Sequence, residues 1–145
     1  MLPIKKIISP TDFSAPAEKG LQTAVELAQH FDAELVIVHV LIPVPMVSAS
    51  AVHLPTIMNS MADSAEKSMD ELLRDQMPSD VKSSYHIVEG RAADQIAKIA
   101  DQEKADLIVI ATHGESGIQN FIFGSVTERT VRIARCPVLT IRPTE

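Results

Sequence analysis

Leu35 to Val40 reads LVIVHV and Leu107 to Ala111 reads LIVIA. Both runs are almost continuously apolar and rich in β-branched residues. A strand with one wet face alternates instead; unbroken runs of this kind belong to strands covered on both faces, as in a parallel sheet between helices. Three more short runs accompany them, Ile4 to Ile8, Tyr85 to Val88 and Val138 to Ile141. Ser84-Tyr85-His86-Ile87-Val88 alternates more than the others, as expected nearer a sheet edge.

Between the runs the spacing of apolar residues becomes helical. Leu21, Ala24, Val25, Ala28 and Phe31 form one stripe, with Ser14 as N-cap and Pro16 tolerated in the first turn. Ile57, Met61, Ala65, Met69, Leu72 and Leu73 form a second, ended by Pro78, and Ala93, Ile96, Ala97 and Ala100 a third. Ser125 caps a shorter fourth helix that runs to about Ala134, before Cys136-Pro137 stops it. The order β-α-β-α-β-α-β-α-β with right-handed crossovers predicts an α/β fold, an open doubly wound parallel sheet in a single domain over 1–145. Leu41 to Thr56 (LIPVPMVSASAVHLPT) has three prolines and no sustained period. It reads as a long loop after the second strand, either a functional lid or a plain connector.

The chain has 145 residues, long enough for one core without disulfide or metal staples. Thirteen Lys plus Arg against nineteen Asp plus Glu leave a net charge of −6, with one Tyr, four Phe and no Trp. That balance argues against gripping a nucleic-acid backbone or stacking its bases. The single cysteine, Cys136, excludes an intrachain disulfide and suits a reducing cytoplasm. The apolar runs are too short to cross a membrane, and the N-terminal lysines fall inside an apolar run rather than before one, so no secretory signal is expected.

In doubly wound sheets ligands bind outside the carboxyl ends of the strands. Two segments fall there. Ser9-Pro10-Thr11-Asp12-Phe13-Ser14 follows the first strand; Ala111-Thr112-His113-Gly114-Glu115-Ser116-Gly117 follows the fourth and runs on to Gly124-Ser125-Val126-Thr127. Gly114 and Gly124 can bring backbone N–H groups against an anion, and a helix opening at Gly124-Ser125 offers free N–H groups and a positive dipole end. Ser125 and Thr127 add hydroxyl donors. No Lys or Arg lies between Ala111 and Ser125, so a phosphate there would be held by backbone and hydroxyls. The alternative is that the glycines merely shape a loop, Ser125 is an ordinary cap and Asp12 caps the following helix. The P-loop and G-x-G-x-x-G patterns are both absent, and of a phospho-acceptor's acidic cluster only Asp12 is present.

PTDFS after the first strand, with ATHG-x9-GSVTERTVRIARCPVLTI at the C-terminal end, resembles the universal stress protein family over essentially the whole chain. Its nucleotide-binding members carry G-x-x-G-x9-G-[ST]. Gly114, nine residues, then Gly124 and Ser125 match the last three elements, and Ala111 stands in place of the first glycine. The resemblance implies a five-stranded sheet of order 3-2-1-4-5. It places Asp12 near ribose or adenine, with Pro10 and Thr11 shaping the pocket and Val40 offering backbone groups to adenine. Ala111, Thr112, His113 and Gly114, with Gly124, Ser125, Val126 and Thr127, would wrap ribose and phosphates. The ligand would be ATP, or AMP or ADP, with Mg2+ held mainly by the phosphates. It further implies a homodimer through the last strand. Independently, Val138, Leu139, Thr140 and Ile141 would lie at an apolar sheet edge, which calls for a cover.

The five histidines show no metal-ligand spacing, His39 reads as a satisfied strand residue, and Cys136 as a small apolar one. His113 is the one histidine in the expected site, as a phosphate contact, a base or a loop-shaping residue. Arg129, Arg132 and Arg135 form a solvated face or a weak positive strip. No nucleophile–base pair or positioned carboxylate pair is visible. The leading expectation is therefore a cytoplasmic nucleotide-binding sensor or stress-response factor with at most slow ATP hydrolysis. The alternatives are a dimeric interaction module of the same fold that binds no nucleotide and, more remotely, nucleotidyl chemistry by His113 and Asp12.

Overall fold

Strand and helix alternate strictly along the computed structural model, which describes residues 2–43, 54–113 and 123–144. The elements are β1 (Lys6–Pro10), α1 (Ala15–Phe31), β2 (Glu34–Leu41), α2 (Leu54–Gln76), β3 (Ser83–Glu89), α3 (Ala92–Gln102), β4 (Leu107–Ala111), α4 (Ser125–Ile133) and β5 (Val138–Ile141). All strand pairs are parallel, in the order β3-β2-β1-β4-β5. The chain starts in the middle, builds outward to β3, then returns to the other side of β1. β1 and β4 therefore flank the switch point at which such sheets bind ligands.

Side-chain alternation divides the core into two layers. Leu35 and Ile37 of β2 and Leu107 and Val109 of β4 pack with Leu21, Ala24 and Val25 of α1 and Met69 and Leu72 of α2. Val36, Val38, Ile108 and Ile110 face the other way and pack with Ile96, Ile99 and Ala100 of α3. Every residue of β4 is buried, the arrangement that LIVIA implies. β3 is an edge strand and is partly exposed throughout, in line with its alternating sequence.

Ser14 caps α1, its Oγ accepting from the Ala17 N–H at 3.3 Å, with Pro16 in the first turn. Some details differ from the sequence reading, and β2 and β3 each extend a residue or two past the apolar runs. β1 spans Lys6–Pro10 rather than Ile4 to Ile8, although Ile4 is still buried beside it. α2 starts at Leu54, so Leu54, Pro55 and Thr56 belong to the helix; a proline in the first turn lacks only an N–H that would have had no partner. At the other end of the expected loop, Leu41 is the last residue of β2 and Ile42 and Pro43 follow it, while 44–53 lies outside the described residues. In α3 the buried stripe runs through Ile99, while Ala97 is only half-buried. In α4 the cap is Gly124, in extended conformation and without a side-chain cap bond, so Ser125 is the first helical residue rather than the cap.

Candidate functional site

A cleft of about 420 Å³ opens at the carboxyl ends of β1, β2 and β4. Its floor and walls come from Pro10, Thr11 and Asp12, from Val38, His39, Val40 and Ile42, from Ala92 and Ile96 of α3, from Ile110, Ala111 and His113, and from Gly124, Ser125, Val126 and Thr127, with Ala17 behind. One side is apolar, the other is backbone and hydroxyl, and no Lys or Arg lines it among the described residues. Of the expected binding residues, Thr112 is buried beneath the wall rather than in it, and Gly114 lies outside the described residues. Val38, Ile42, Ala92, Ile96 and Ile110 were not anticipated. Their signal was the alternation of β2 and β4 together with the α3 stripe.

The loop after β1 is locked by its own short polar side chains. Thr11 N–H extends the β1–β2 ladder to the Val38 carbonyl at 2.8 Å, and Phe13 N–H returns to Thr11 Oγ1 at 3.0 Å. Asp12 Oδ1 accepts from the Ser14 N–H at 3.0 Å and also bonds the Ser14 hydroxyl. This is an Asx turn, so Asp12 orders the start of α1 and lines the cleft at once, while Ser14 takes the cap role. Phe13 closes the turn at φ 63°, a left-handed conformation that is costly for an aromatic residue.

The backbone of β2 sets which way the main-chain groups of Val40 turn at the cleft. Leu35 donates to Lys82 and the Leu41 carbonyl accepts from Gly90, so odd-numbered residues turn their backbone toward β3. The Val38 carbonyl accepts from Thr11, so even-numbered residues turn toward β1. Val40, the next even residue, turns its N–H and C=O toward the space that the chain leaves on bending away after Thr11. The Thr11 carbonyl accepts instead from His39 Nδ1 at 2.8 Å, which satisfies the His39 ring as the sequence suggested.

At the β4 end, Gly124 N–H donates to the Thr112 carbonyl at 2.6 Å, and Thr112 N–H to the Ile141 carbonyl at 2.8 Å. A Cβ on Gly124 would stand 3.2 Å from that Thr112 oxygen, so glycine permits the approach. The first intrahelical bond of α4 runs from Glu128 N–H to the Gly124 carbonyl, which leaves the N–H groups of Ser125, Val126 and Thr127 outside the helix ladder at the cleft. The Thr127 hydroxyl proton is committed to the Ala111 carbonyl at 2.8 Å, so Thr127 faces an anion with its N–H rather than its hydroxyl. His113 Nδ1 lies 3.0 Å from Thr112 Oγ1.

A second, wider hollow of about 480 Å³ lies on the other side of the sheet, between Phe13, His39, Leu41 and the first turns of α2. Among the described residues His39 is the one titratable side chain in its wall, the rest being apolar or hydroxyl groups of the loop after β1, β2 and α2. The arginines of α4 and the one just beyond it are paired: Arg129 with Asp94 at 2.9 Å, Arg132 with Glu128 at 2.8 Å and Arg135 with Asp101 at 3.4 Å. Cys136 packs against the α3-side core, and burial pushes its thiol up, away from reactivity. Outside the cleft lining, Glu103, just after α3, bonds Lys6 at the start of β1 at 2.8 Å and His86 in the middle of β3 at 2.9 Å. Among the described residues no three His, Cys, Asp or Glu side chains gather as a metal site, and no helix is long and apolar enough to cross a membrane.

A doubly wound sheet with glycine, hydroxyl and helix-end groups at its switch point defines a class of α/β small-ligand-binding domains. The model of the universal stress protein family matches residues 3–142, and the chain belongs to that family. It is 32% identical to the universal stress protein MJ0531 of Methanocaldococcus jannaschii, over 95% of this chain and 82% of that one. Its fold superposes on the solved structure of MJ0577 of the same organism with a TM-score of 0.87, at 26% identity and covering 98% of each chain. Two further universal stress proteins, each 22% identical, share the fold and were solved with cAMP (TM-score 0.64, 97% and 98% covered) and, from Archaeoglobus fulgidus, with dAMP (TM-score 0.57, 97% and 99% covered).

Proposed function

We propose that the protein binds an adenine nucleotide in the cleft and acts in the cytoplasm as a homodimeric stress-response sensor rather than a fast enzyme. One observation carries the reading: the Asp12 turn, the outward backbone of Val40 and the free N–H groups of Ser125 to Thr127 meet around a single cleft. Each matches one part of a nucleotide. The apolar wall of Val38, Val40 and Ile96 suits a base, Asp12 a ribose hydroxyl, and the start of α4 a phosphate. That relatives of the same fold were solved with cAMP and dAMP supports the ligand class. Mg2+ accompanying ATP would be held by the phosphates, with Asp12 the one carboxylate in the cleft wall among the described residues.

Dimerisation is proposed through β5, an edge strand that pairs only with β4 among the described residues and has Leu139 exposed on it. Calorimetric titration with ATP and magnesium, and separately with AMP, tests the ligand. Saturable one-to-one binding is expected. Neither heat nor a thermal shift at millimolar nucleotide would reject the reading in favour of an interaction module without nucleotide. Mass spectrometry of small molecules released from freshly purified protein identifies the nucleotide held.

A further inference from the structure

In a parallel ladder, a residue that donates to position j−1 of its neighbour accepts from position j+1. Thr11 donates to the Val38 carbonyl, so its own carbonyl is due to accept from the Val40 N–H. It accepts from His39 Nδ1 at 2.8 Å instead. A carbonyl only accepts, so Nδ1 carries the proton. The ring is held in place by Phe13, centroid to centroid 4.5 Å at 39°, and Phe13 takes the left-handed φ of 63° that brings the chain back over it.

We infer that His39 is a positioning residue. By capping the Thr11 carbonyl, it ends the β1–β2 ladder one bond early and keeps the Val40 N–H and C=O open as a donor–acceptor pair. This rests on the nucleotide reading of the cleft and sharpens it to a base specificity. An adjacent N–H and C=O complement adenine, with its ring-nitrogen acceptor and amino donor, and oppose hypoxanthine, whose N–H and carbonyl present the reverse order. Without the imidazole, the Val40 N–H is free to close onto the Thr11 carbonyl and complete the ladder.

The first measurement needs no nucleotide. Amide hydrogen exchange by NMR should show Val40 exchanging at least about tenfold faster than Val38, whose N–H lies within the ladder, and should show Val40 becoming protected in His39→Leu. Equal protection of Val40 and Val38 in the unmodified protein overturns the inference even if nucleotide binds. The second compares AMP with inosine monophosphate. The unmodified protein should prefer AMP. His39→Leu should lose about tenfold in AMP affinity together with most of that preference, and His39→Asn, whose amide N–H can still reach the carbonyl, should stay within about threefold. An unchanged AMP preference in His39→Leu also overturns it. If neither nucleotide binds to any variant, the proposed function fails, and the exchange data still decide whether His39 ends the ladder.

Discussion

Gly20 of α1 and Ala111 of β4 are packed face to face: a Cβ on Gly20 would stand 3.2 Å from the Ala111 backbone nitrogen and 3.5 Å from its methyl carbon. The Ala111 side chain thus continues the α1-facing row of Leu107 and Val109, whereas the apolar wall of the cleft belongs to the opposite row, with Ile110. The Ala111 methyl group, at the position that the family resemblance expects to be glycine, is turned toward a helix. Ala111→Gly is accordingly expected to change nucleotide affinity by less than about threefold while costing about 1–2 kcal/mol of stability, from lost burial and added chain freedom. Calorimetry and urea unfolding of the same variant check both halves. A tenfold gain in affinity would show that the methyl does obstruct the ligand.

Thr127 is a separate case, because its buried hydroxyl ties the first turn of α4 to the last carbonyl of β4. Thr127→Val keeps the shape and leaves that carbonyl without its donor, at an expected cost of about 1–3 kcal/mol. Thr127→Ser restores the donor and should recover most of the loss. Denaturant midpoints for the pair test the assignment. Equal loss in both variants would trace the effect to packing instead.

The layers of the fold were legible because an unbroken apolar run marks a strand covered on both faces and a 3.6-residue stripe marks the buried face of a helix, as in β4 and α1. Boundaries were less so. Pro55 reads as a loop breaker until its place in the first turn of α2 is known, and Ser125 reads as a cap because serine caps by side chain, whereas Gly124 occupies that position with backbone alone. In the cleft, Asp12 could be named from its place after the first strand and Gly124 from motif spacing, whereas Val40 came only from the family resemblance. Ile96 and Ala92 could not be named, since they reach the cleft only by the crossover of α3. The diversion of the Thr11 carbonyl to His39 is a matter of angstroms that no spacing encodes.

The ion cluster of Lys6, His86 and Glu103 makes a pH prediction. The Glu103 carboxyl is held below its ordinary 4.5, first by the hydrogen bond from Lys6 and then by that from His86. A depressed carboxylate contributes stability that is complete above the unfolded value and is lost as pH falls through the lower folded value. Lys6 is raised above 10.5, chiefly by the same bond, so its share is complete below 10.5 and is lost only as pH rises through the higher folded value. Both side chains are about a quarter exposed, so the contribution is modest. Glu103→Gln should cost about 0.5–1 kcal/mol at neutral pH. Its urea midpoint should converge with that of the unmodified protein as the pH is taken well below 4.5. A gap that persists unchanged at pH about 2.5 would assign the loss to packing rather than charge.

β5 offers a clean test of assembly, because the direction of its backbone groups is known. Its neighbours on β4 take the carbonyls of Pro137 and Ile141, with Ile108 and Thr112 donating, so odd positions turn inward and Thr140 turns its N–H to the open edge. Thr140→Pro removes that outward donor and leaves the bonds to β4 in place. If two copies join edge to edge, the unmodified protein should elute as a dimer by light scattering and Thr140→Pro as a monomer. Thr140→Val, which keeps the N–H, should remain dimeric. A dimer that survives the proline must use another surface, for which the exposed Val131 and Ile133 of α4 are the first residues to charge.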